Sequence, residues 1–254
     1  MQFGAPAEKY DRYMGRFAVS LAPRLADAAG VIAGMSVVDV GCGPGALTDV
    51  LAERVGAGRV AAIDPAPQFA AACRDRNPGA DVREGVAEHL PWPDDGFDAA
   101  LSCLVIGFMR DADRGVREMA RVTRPGGTVA ACMWDIATGG MTMLDTFWRA
   151  VRTVVPDAEG ETAMVGTAEG DIARRFTTAG LDDVTAGSLT ATAHYTGFDD
   201  FWEPFTYGVG PAGSYLAAMP ADGRAAVRDA CRELVPDGPF PLDARAWFAT
   251  GTVR

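Results

Sequence analysis

The stretch that most constrains the fold runs from Val37 to Gly45 and reads VVDVGCGPG. Its first four residues are mostly β-branched and apolar, which predicts a short strand buried on both faces of a parallel sheet. Its last five residues include three glycines, and the apolar stripe of residues 46–55 predicts a helix after them. A glycine turn from strand to helix lets a ligand approach backbone N–H groups and the positive helix end.

A second strand is predicted over residues 59–64 (RVAAID), and it ends in Asp64. This acid follows the glycines by about 20 residues, where nucleotide-binding βαβ units carry the acid that binds ribose hydroxyls. The arrangement therefore predicts a nucleotide site. The plain alternative is a glycine turn that only packs helix on strand, followed by a solvated Asp64.

Two classes of nucleotide are compatible with the glycines. Gly41, Gly43 and Ala46 also fit the dinucleotide fingerprint G-x-G-x-x-G/A, which would make the protein an NAD-dependent oxidoreductase. Asp39 argues against that interpretation, because it puts a carboxylate near the position of a pyrophosphate. A ligand with a cationic amino-acid portion suits Asp39 better.

Residues 39–45 (DVGCGPG) match in full the first motif of class I S-adenosylmethionine-dependent methyltransferases. The resemblance covers residues 10–135, including a helix–PGG–strand unit at 113–134, and it is closest in type to small-molecule enzymes such as ubiquinone/menaquinone C-methyltransferases. It implies an α/β fold: a Rossmann-like, seven-stranded, mostly parallel sheet with helices on both faces, an antiparallel last strand between strands five and six, and a small helical cap.

The resemblance also implies the cofactor, S-adenosyl-L-methionine, with S-adenosyl-L-homocysteine as product. In the lid-like segment YDRYMGRF, Arg16 would face the cofactor carboxylate and Tyr13 would cover the site. The adenine would lie beside the Ala87 backbone N–H and the Glu88 carboxylate. The predicted cofactor-binding residues are Tyr13, Arg16, Asp39, Gly41, Cys42, Gly43, Gly45, Asp64, Pro65, Ala87, Glu88, Ser102 and Cys103.

Composition excludes some partners. The net charge of −11 in a chain of 254 residues, without a Lys/Arg cluster, argues against nucleic acid and against an anionic membrane. The five cysteines are scattered and lack C-x-x-C spacing, so we expect core thiols in a reducing, cytoplasmic location and no metal site. The sequence shows no basic segment followed by an apolar stretch at its N-terminus and no run of 18 apolar residues. We therefore expect neither export nor a membrane span.

The second half of the chain is expected to set substrate specificity. We predict one methyltransferase domain over residues 1–254, with a lid or helix at 1–30, a cofactor-binding half at 31–135, and cap insertions at 136–168 and 197–238. The predicted substrate pocket is aromatic, and it consists of Trp134, Trp202, Phe205 and Tyr207. His194 is the better of the two histidines as a candidate catalytic base, although a histidine in such a position more often has a structural role.

The predicted function is methyl transfer to a small molecule by in-line displacement at an oxygen, nitrogen or carbon nucleophile. Proximity and orientation supply about 7–11 kcal/mol in such reactions, so a catalytic triad is not required. The alternatives are the NAD-dependent oxidoreductase and a non-catalytic S-adenosylmethionine-binding protein. The sequence leaves open the acceptor, and it leaves open whether the protein is a monomer or a homodimer.

Overall fold

One seven-stranded sheet organises the computed structural model, which describes residues 6–254. The first five residues of the predicted lid, 1–5, lie outside the described residues. The strands are β1 (Val37–Val40), β2 (Val60–Asp64), β3 (Asp81–Glu84), β4 (Phe97–Cys103), β5 (Thr123–Trp134), β6 (Asp182–Tyr195) and β7 (Phe240–Thr252). Strands β1 and β2 begin and end within one residue of the positions predicted from the sequence.

The helices lie between and around these strands. They are α1 (Ala7–Tyr10), α2 (Arg16–Ala28), α3 (Ala46–Val55), α4 (Pro67–Arg76), α5 (Ala112–Val122), α6 (Thr142–Val154), α7 (Asp171–Thr178), α8 (Phe198–Trp202), α9 (Gly210–Ala218) and α10 (Ala221–Glu233). A π-helical turn, Asp11–Gly15, joins α1 to α2. No helix within residues 6–254 is long and apolar enough to cross a membrane.

The strand order is β3-β2-β1-β4-β5-β7-β6. Strands β1 to β5 pair in parallel, while β7 runs antiparallel between β5 and β6. The predicted fold class and the place of the antiparallel last strand are therefore confirmed. The order reverses between β1 and β4, and the carboxyl ends of strands beside such a switch point are where ligands of open α/β sheets bind.

Strand β1 is buried along its whole length, as its β-branched run predicts. Val37 packs into the core cluster under α2 and α3, while Val38 and Val40 pack into the cluster on the opposite face. Both faces of the sheet are thus covered. This leaves the ends of the strands as the place where a ligand can reach the backbone of this part of the sheet.

Proline usually breaks or begins a helix, but Pro23 lies inside α2. Proline removes one N–H from the helix and leaves the carbonyl four residues earlier, that of Val19, without its usual partner. Val19 is 69% exposed, so this carbonyl can be hydrated. Leu21 and Leu25 stay fully buried, and this packing favours an uninterrupted helix.

Asp135, which follows β5, anchors the start of the cap to β7. Its carboxylate is buried and accepts hydrogen bonds from the Arg245 guanidinium at 2.6 Å and from Thr138. Burial raises the pKa of Asp135, but the hydrogen bonds from Thr138 and Arg245 outweigh it, and the net pKa is lowered. The ion pair therefore favours the charged, folded state.

We expect Asp135→Asn to lower the free energy of unfolding by about 2 kcal/mol at neutral pH, because the guanidinium loses its charged acceptor. A carboxyl group whose pKa is lowered in the folded state stabilises the fold at pH values above its ordinary pKa, near 4. This stabilisation is lost as the pH falls below that value. The difference in Tm between wild type and variant should therefore shrink as the pH falls from 7 toward about 3. A Tm difference that is constant over this range would contradict a role for the Asp135 charge.

Candidate functional site

A cavity of about 910 Å³ opens at the carboxyl ends of strands β1 to β5. Gly41 and Gly43 follow β1, Asp64 ends β2, and Ala87 follows β3. The remaining walls come from the N-terminal segment, the loop after β4, the end of β5 and the two predicted cap segments. Among the residues lining those walls are Tyr10, Tyr13, Met14, Leu104, Val105, Phe108, Met133, Trp134, Leu144, Glu161, Val209 and Pro211.

The glycine turn takes backbone conformations that side chains disfavour. Gly41, Gly43 and Gly45 have φ of 82°, 54° and 110°. A Cβ on Gly41 would lie 2.4 Å from both γ-carbons of Val105, so this glycine is required for packing. A Cβ on Gly43 would meet nothing within 4 Å, and Gly43 lines the cavity. Gly43 is therefore the position where the backbone itself is open to a ligand.

Asp39 lies behind this turn and is fully buried. Its Oδ2 accepts a hydrogen bond from Thr48 Oγ1 at 2.7 Å, while its Oδ1 has no partner. Burial raises the pKa of Asp39 to about 7. A buried carboxylate with an unsatisfied oxygen is stabilised by a nearby cation. The environment of Asp39 is therefore compatible with the amino group of adenosylmethionine and not with a pyrophosphate.

Asp64 points its carboxylate at the same turn. Its Oδ2 accepts from the Gly43 N–H at 2.9 Å and its Oδ1 accepts from the Ala66 N–H at 2.8 Å. Burial raises its pKa. Each carboxylate oxygen can accept a further hydrogen bond. Asp64 is thus fixed in orientation at the cavity wall and can still bind hydroxyl donors such as those of a ribose.

Glu88 also lines the cavity, next to the buried Ala87. Its Oε1 accepts from the backbone N–H groups of Arg110 and Asp111, at 2.7 and 3.1 Å. The side chain predicted to face the adenine therefore also holds the loop between β4 and α5. The predicted Pro65 lies in the same wall, directly after Asp64.

The N-terminal segment forms one wall through its π-helical turn. Tyr10, Tyr13 and Met14 line the cavity, and Phe205 packs edge-on behind Tyr13 with ring centroids 5.5 Å apart. The turn is tied down on both sides. Asp11 pairs with Arg76 of α4, and Arg12 pairs with Glu203 beyond α8 at 2.7 Å.

Some predicted residues lie elsewhere. Arg16 pairs with Asp200 at 3.0 Å and stacks over Tyr195 at 4.5 Å, so its guanidinium is already engaged away from the cavity. His194 is exposed on β6. Neither side chain lines the cavity. We therefore propose neither Arg16 as a cofactor ligand nor His194 as a catalytic base.

The aromatic residues predicted for the substrate pocket also differ in where they lie. Trp134 lines the cavity, and Phe205 lies one layer behind it, stacked on Phe147 at 4.5 Å. Trp202 stacks on Phe198, and Tyr207 lies under the cations of the N-terminal segment. Besides Arg16, the residues predicted for the cofactor that do not line the cavity are Asp39, Cys42, Gly45, Ser102 and Cys103.

Sequence reasoning missed the residues that come from the loop after β4 and from the cap. Leu104 has a positive φ of 65°, unusual for a residue with a side chain, and starts that loop. Glu161 is 6% exposed and lies in a turn between α6 and α7. Burial raises its pKa to about 7. No periodicity or motif marks Glu161, because its burial comes entirely from tertiary contacts.

Comparison with known proteins places the glycine turn in a known family. Residues 38–131 match the family model described as a methyltransferase domain. Malonyl-[acyl-carrier protein] O-methyltransferase of Serratia marcescens is 33% identical over 118 residues, covering 46% of this chain and 45% of the relative. The chloroplastic 2-methyl-6-phytyl-1,4-hydroquinone methyltransferase 2 of Oryza sativa subsp. japonica is 39% identical over 101 residues, 39% of this chain and 28% of that one. The matches thus span less than half the length of these relatives.

The likeness of fold extends much further. A SAM-dependent methyltransferase from Thermotoga maritima superposes with a TM-score of 0.57 over 97% of this chain and 95% of its own, at 16% identity. Residues 38–131 therefore resemble a methyltransferase domain, and the whole chain shares the fold of S-adenosylmethionine-dependent methyltransferases. The predicted resemblance and fold are confirmed. These matches favour S-adenosyl-L-methionine as the cofactor and give no support to the NAD-dependent alternative.

Proposed function

We propose that this protein transfers a methyl group from S-adenosyl-L-methionine to a small molecule bound beside it in the same cavity. The observation that carries the proposal is the extent of the cavity. Its lining residues follow five neighbouring strands, which at ordinary strand spacing extend over about 19 Å. A volume of about 910 Å³ lies near the upper end for ligand sites and is enough for a nucleoside cofactor and an acceptor together.

The two parts of the cavity differ in chemistry. The part over β3, β2 and β1 carries Gly43, Asp64 and Glu88, which suit ribose and adenine. The part over β4 and β5 and under the cap is mainly apolar, with Trp134 and Leu144 among its walls. We assign the first part to the cofactor and the second to the acceptor. The cap segments 136–168 and 197–238 are accordingly proposed to set acceptor specificity.

The bound cofactor would supply an electrophilic methyl group on a positively charged sulfur. The residues of this chain would hold it and exclude water. Asp64 would accept hydrogen bonds from the ribose hydroxyls. Gly43, which has no side chain, would let the cofactor approach its backbone. Asp39 would lie behind the turn as the counter-charge for the amino group. Tyr10, Tyr13 and Trp134 would give an apolar surround, and such a surround suits a reaction in which charge disappears from sulfur.

Finer assignments belong to the same proposal. A small-molecule acceptor is proposed because the N-terminal segment and the cap both contribute walls to the cavity. A cytoplasmic location is proposed on the basis of the five cysteines, all of which are free thiols. A non-catalytic binder of the same cofactor remains the second candidate, since the cofactor residues by themselves do not require turnover.

The test is calorimetric titration of the protein with S-adenosyl-L-methionine, S-adenosyl-L-homocysteine and NAD in parallel. We expect dissociation constants of micromolar order, about −8 kcal/mol, for the first two ligands and no heat with NAD. NAD binding without a response to the other two ligands would contradict the proposal. Binding of the first two without methylation of any acceptor would favour the non-catalytic candidate.

A further inference from the structure

Glu161 is a buried carboxylate in the acceptor part of the cavity, and the mechanism above does not use it. It is 6% exposed and borders the main cavity and a second cavity of about 280 Å³. Among the described residues that line the main cavity, the other carboxylates, Asp64 and Glu88, lie in the part assigned to the cofactor. Glu161 is therefore the acidic group that an acceptor would meet.

The contacts of Glu161 hold it in place without neutralising it. Trp148 Nε1 donates to its Oε1 at 3.0 Å, and the backbone N–H of Ala212, in the first turn of α9, faces the same carboxylate. The phenol of Tyr13 is close by, and its pKa is raised by its own burial and by the charge of Glu161. Arg152 and Asp145 face it across the second cavity.

We propose that Glu161 is the general base of the methyl transfer, and that the acceptor is a neutral molecule with a phenolic or enolic hydroxyl on an apolar body. This inference rests on the proposed function and names its base and its substrate class. The proton of the acceptor O–H passes to the Glu161 carboxylate, and the electron pair of that bond stays on oxygen. That pair forms the bond to the methyl group at oxygen, while the pair of the S–CH₃ bond stays on sulfur.

The charges of the site favour this class of acceptor over two others. Among the described lining residues, three carboxylates face one cation, Arg110, so an anionic carboxylate acceptor would be repelled. An alkylamine would arrive as an ammonium ion, and its ion pair with buried Glu161 would hold the proton that must leave. A phenol enters an apolar cavity uncharged and has a pKa of about 10, within reach of a base that titrates near neutrality.

The pKa of Glu161 suits this role. Burial raises it to about 7, against the hydrogen bonds from Trp148 and Ala212 that lower it. A base with a pKa near the working pH combines a populated charged form with a strong pull on the proton. A carboxyl with a raised native pKa destabilises the fold as the pH rises through that value. Glu161→Gln is therefore expected to fold and to be at least as stable as wild type above pH 7.

The probes for the test are 2-naphthol and its methyl ether, 2-methoxynaphthalene, which share an apolar body and differ in the O–H. In the presence of S-adenosyl-L-homocysteine, we expect wild type to bind 2-naphthol at least about 10-fold more tightly than 2-methoxynaphthalene. This difference corresponds to one charge-assisted hydrogen bond from the O–H to Glu161. Glu161→Gln should lose most of this preference. Glu159→Gln, which removes an exposed carboxylate from the same turn, should keep it.

Two further measurements separate a base from a structural group. The Trp148 indole N–H resonance, assigned with Trp148→Phe, should titrate with a midpoint near pH 7 in wild type and not in Glu161→Gln. Methylation of 2-naphthol should rise with pH through the same midpoint and fall by about 100-fold or more in Glu161→Gln, a typical general-base effect.

The outcomes distinguish the two proposals. If neither variant nor wild type binds S-adenosyl-L-homocysteine, the proposed function fails. If wild type binds the cofactor product but shows no preference for 2-naphthol, or binds neither probe, the acceptor class is wrong. If Glu161→Gln binds the cofactor product and methylates 2-naphthol at the wild-type rate, the role of Glu161 as base is wrong.

Discussion

Asp64→Ala is expected to weaken the binding of S-adenosyl-L-homocysteine by at least about 100-fold. Two hydrogen bonds between a carboxylate and ribose hydroxyls are worth about 3 kcal/mol at the low end of their range, and each 1.4 kcal/mol is tenfold in affinity. The variant also removes the acceptor for the N–H groups of Gly43 and Ala66, which shape the turn. Calorimetric titration at a temperature where the variant is folded measures the effect.

A matched carboxylate lies at the opposite end of the sheet. Asp98, near the start of β4, accepts from the Ser36 N–H at 2.7 Å and pairs with Arg124, so it has a comparable local structural role. Asp98→Ala should lower Tm and leave the affinity for the cofactor product unchanged. Asp64→Asn, which keeps one carbonyl oxygen for the backbone, should bind with intermediate affinity. Wild-type affinity in a folded Asp64→Ala would contradict the assigned position of the nucleotide.

The glycines of the turn should respond to alanine in different ways. Gly43→Ala is expected to cost about 1 kcal/mol of stability through its positive φ and to abolish measurable cofactor binding, because the new Cβ would point into the cavity. Gly30 has a similar φ of 67° and open space around its Cβ, but it does not line the cavity. Gly30→Ala should therefore show the same loss of stability with normal binding.

Gly41→Ala should act mainly on stability. Its Cβ would lie 2.4 Å from the γ-carbons of Val105, so strain and overpacking together are expected to cost about 3 kcal/mol or more. The second change Val105→Ala should recover part of this loss, since it removes the overlapping atoms. Chemical denaturation of the single and double variants measures the coupling. Additive effects, or normal cofactor binding in Gly43→Ala, would contradict this account of the turn.

The part of the site proposed to bind the cofactor could be predicted from sequence because its determinants are local. The β-branched run before Gly41, the positive-φ glycines and the distance to Asp64 each specify backbone geometry within a few residues. The right-handed crossover of a βαβ unit then brings Gly43 and Asp64 to one edge of the sheet. The resemblance, and not this local geometry, predicts a site role for Ala87 and Glu88, which follow the next strand and line the cavity at the same edge.

The acceptor half could not be predicted in this way. The sequence identified aromatic residues in the cap but did not show which faces they turn inward, so Trp134 lines the cavity while Trp202 packs on Phe198. Arg16 was assigned to the cofactor from the resemblance, and the structure engages it with Asp200 instead. These outcomes depend on how the cap settles against the sheet, and that packing joins residues far apart in the chain.

Sequence alone thus predicted the fold of this protein and its resemblance to S-adenosylmethionine-dependent methyltransferases, because a glycine turn and a correctly spaced acid constrain the backbone wherever they occur. Tertiary structure alone decided the surroundings of Glu161. An ordinary acid in a turn acquires a near-neutral pKa only when Trp148, Tyr13 and the start of α9 enclose it, since burial is a property of the assembled chain.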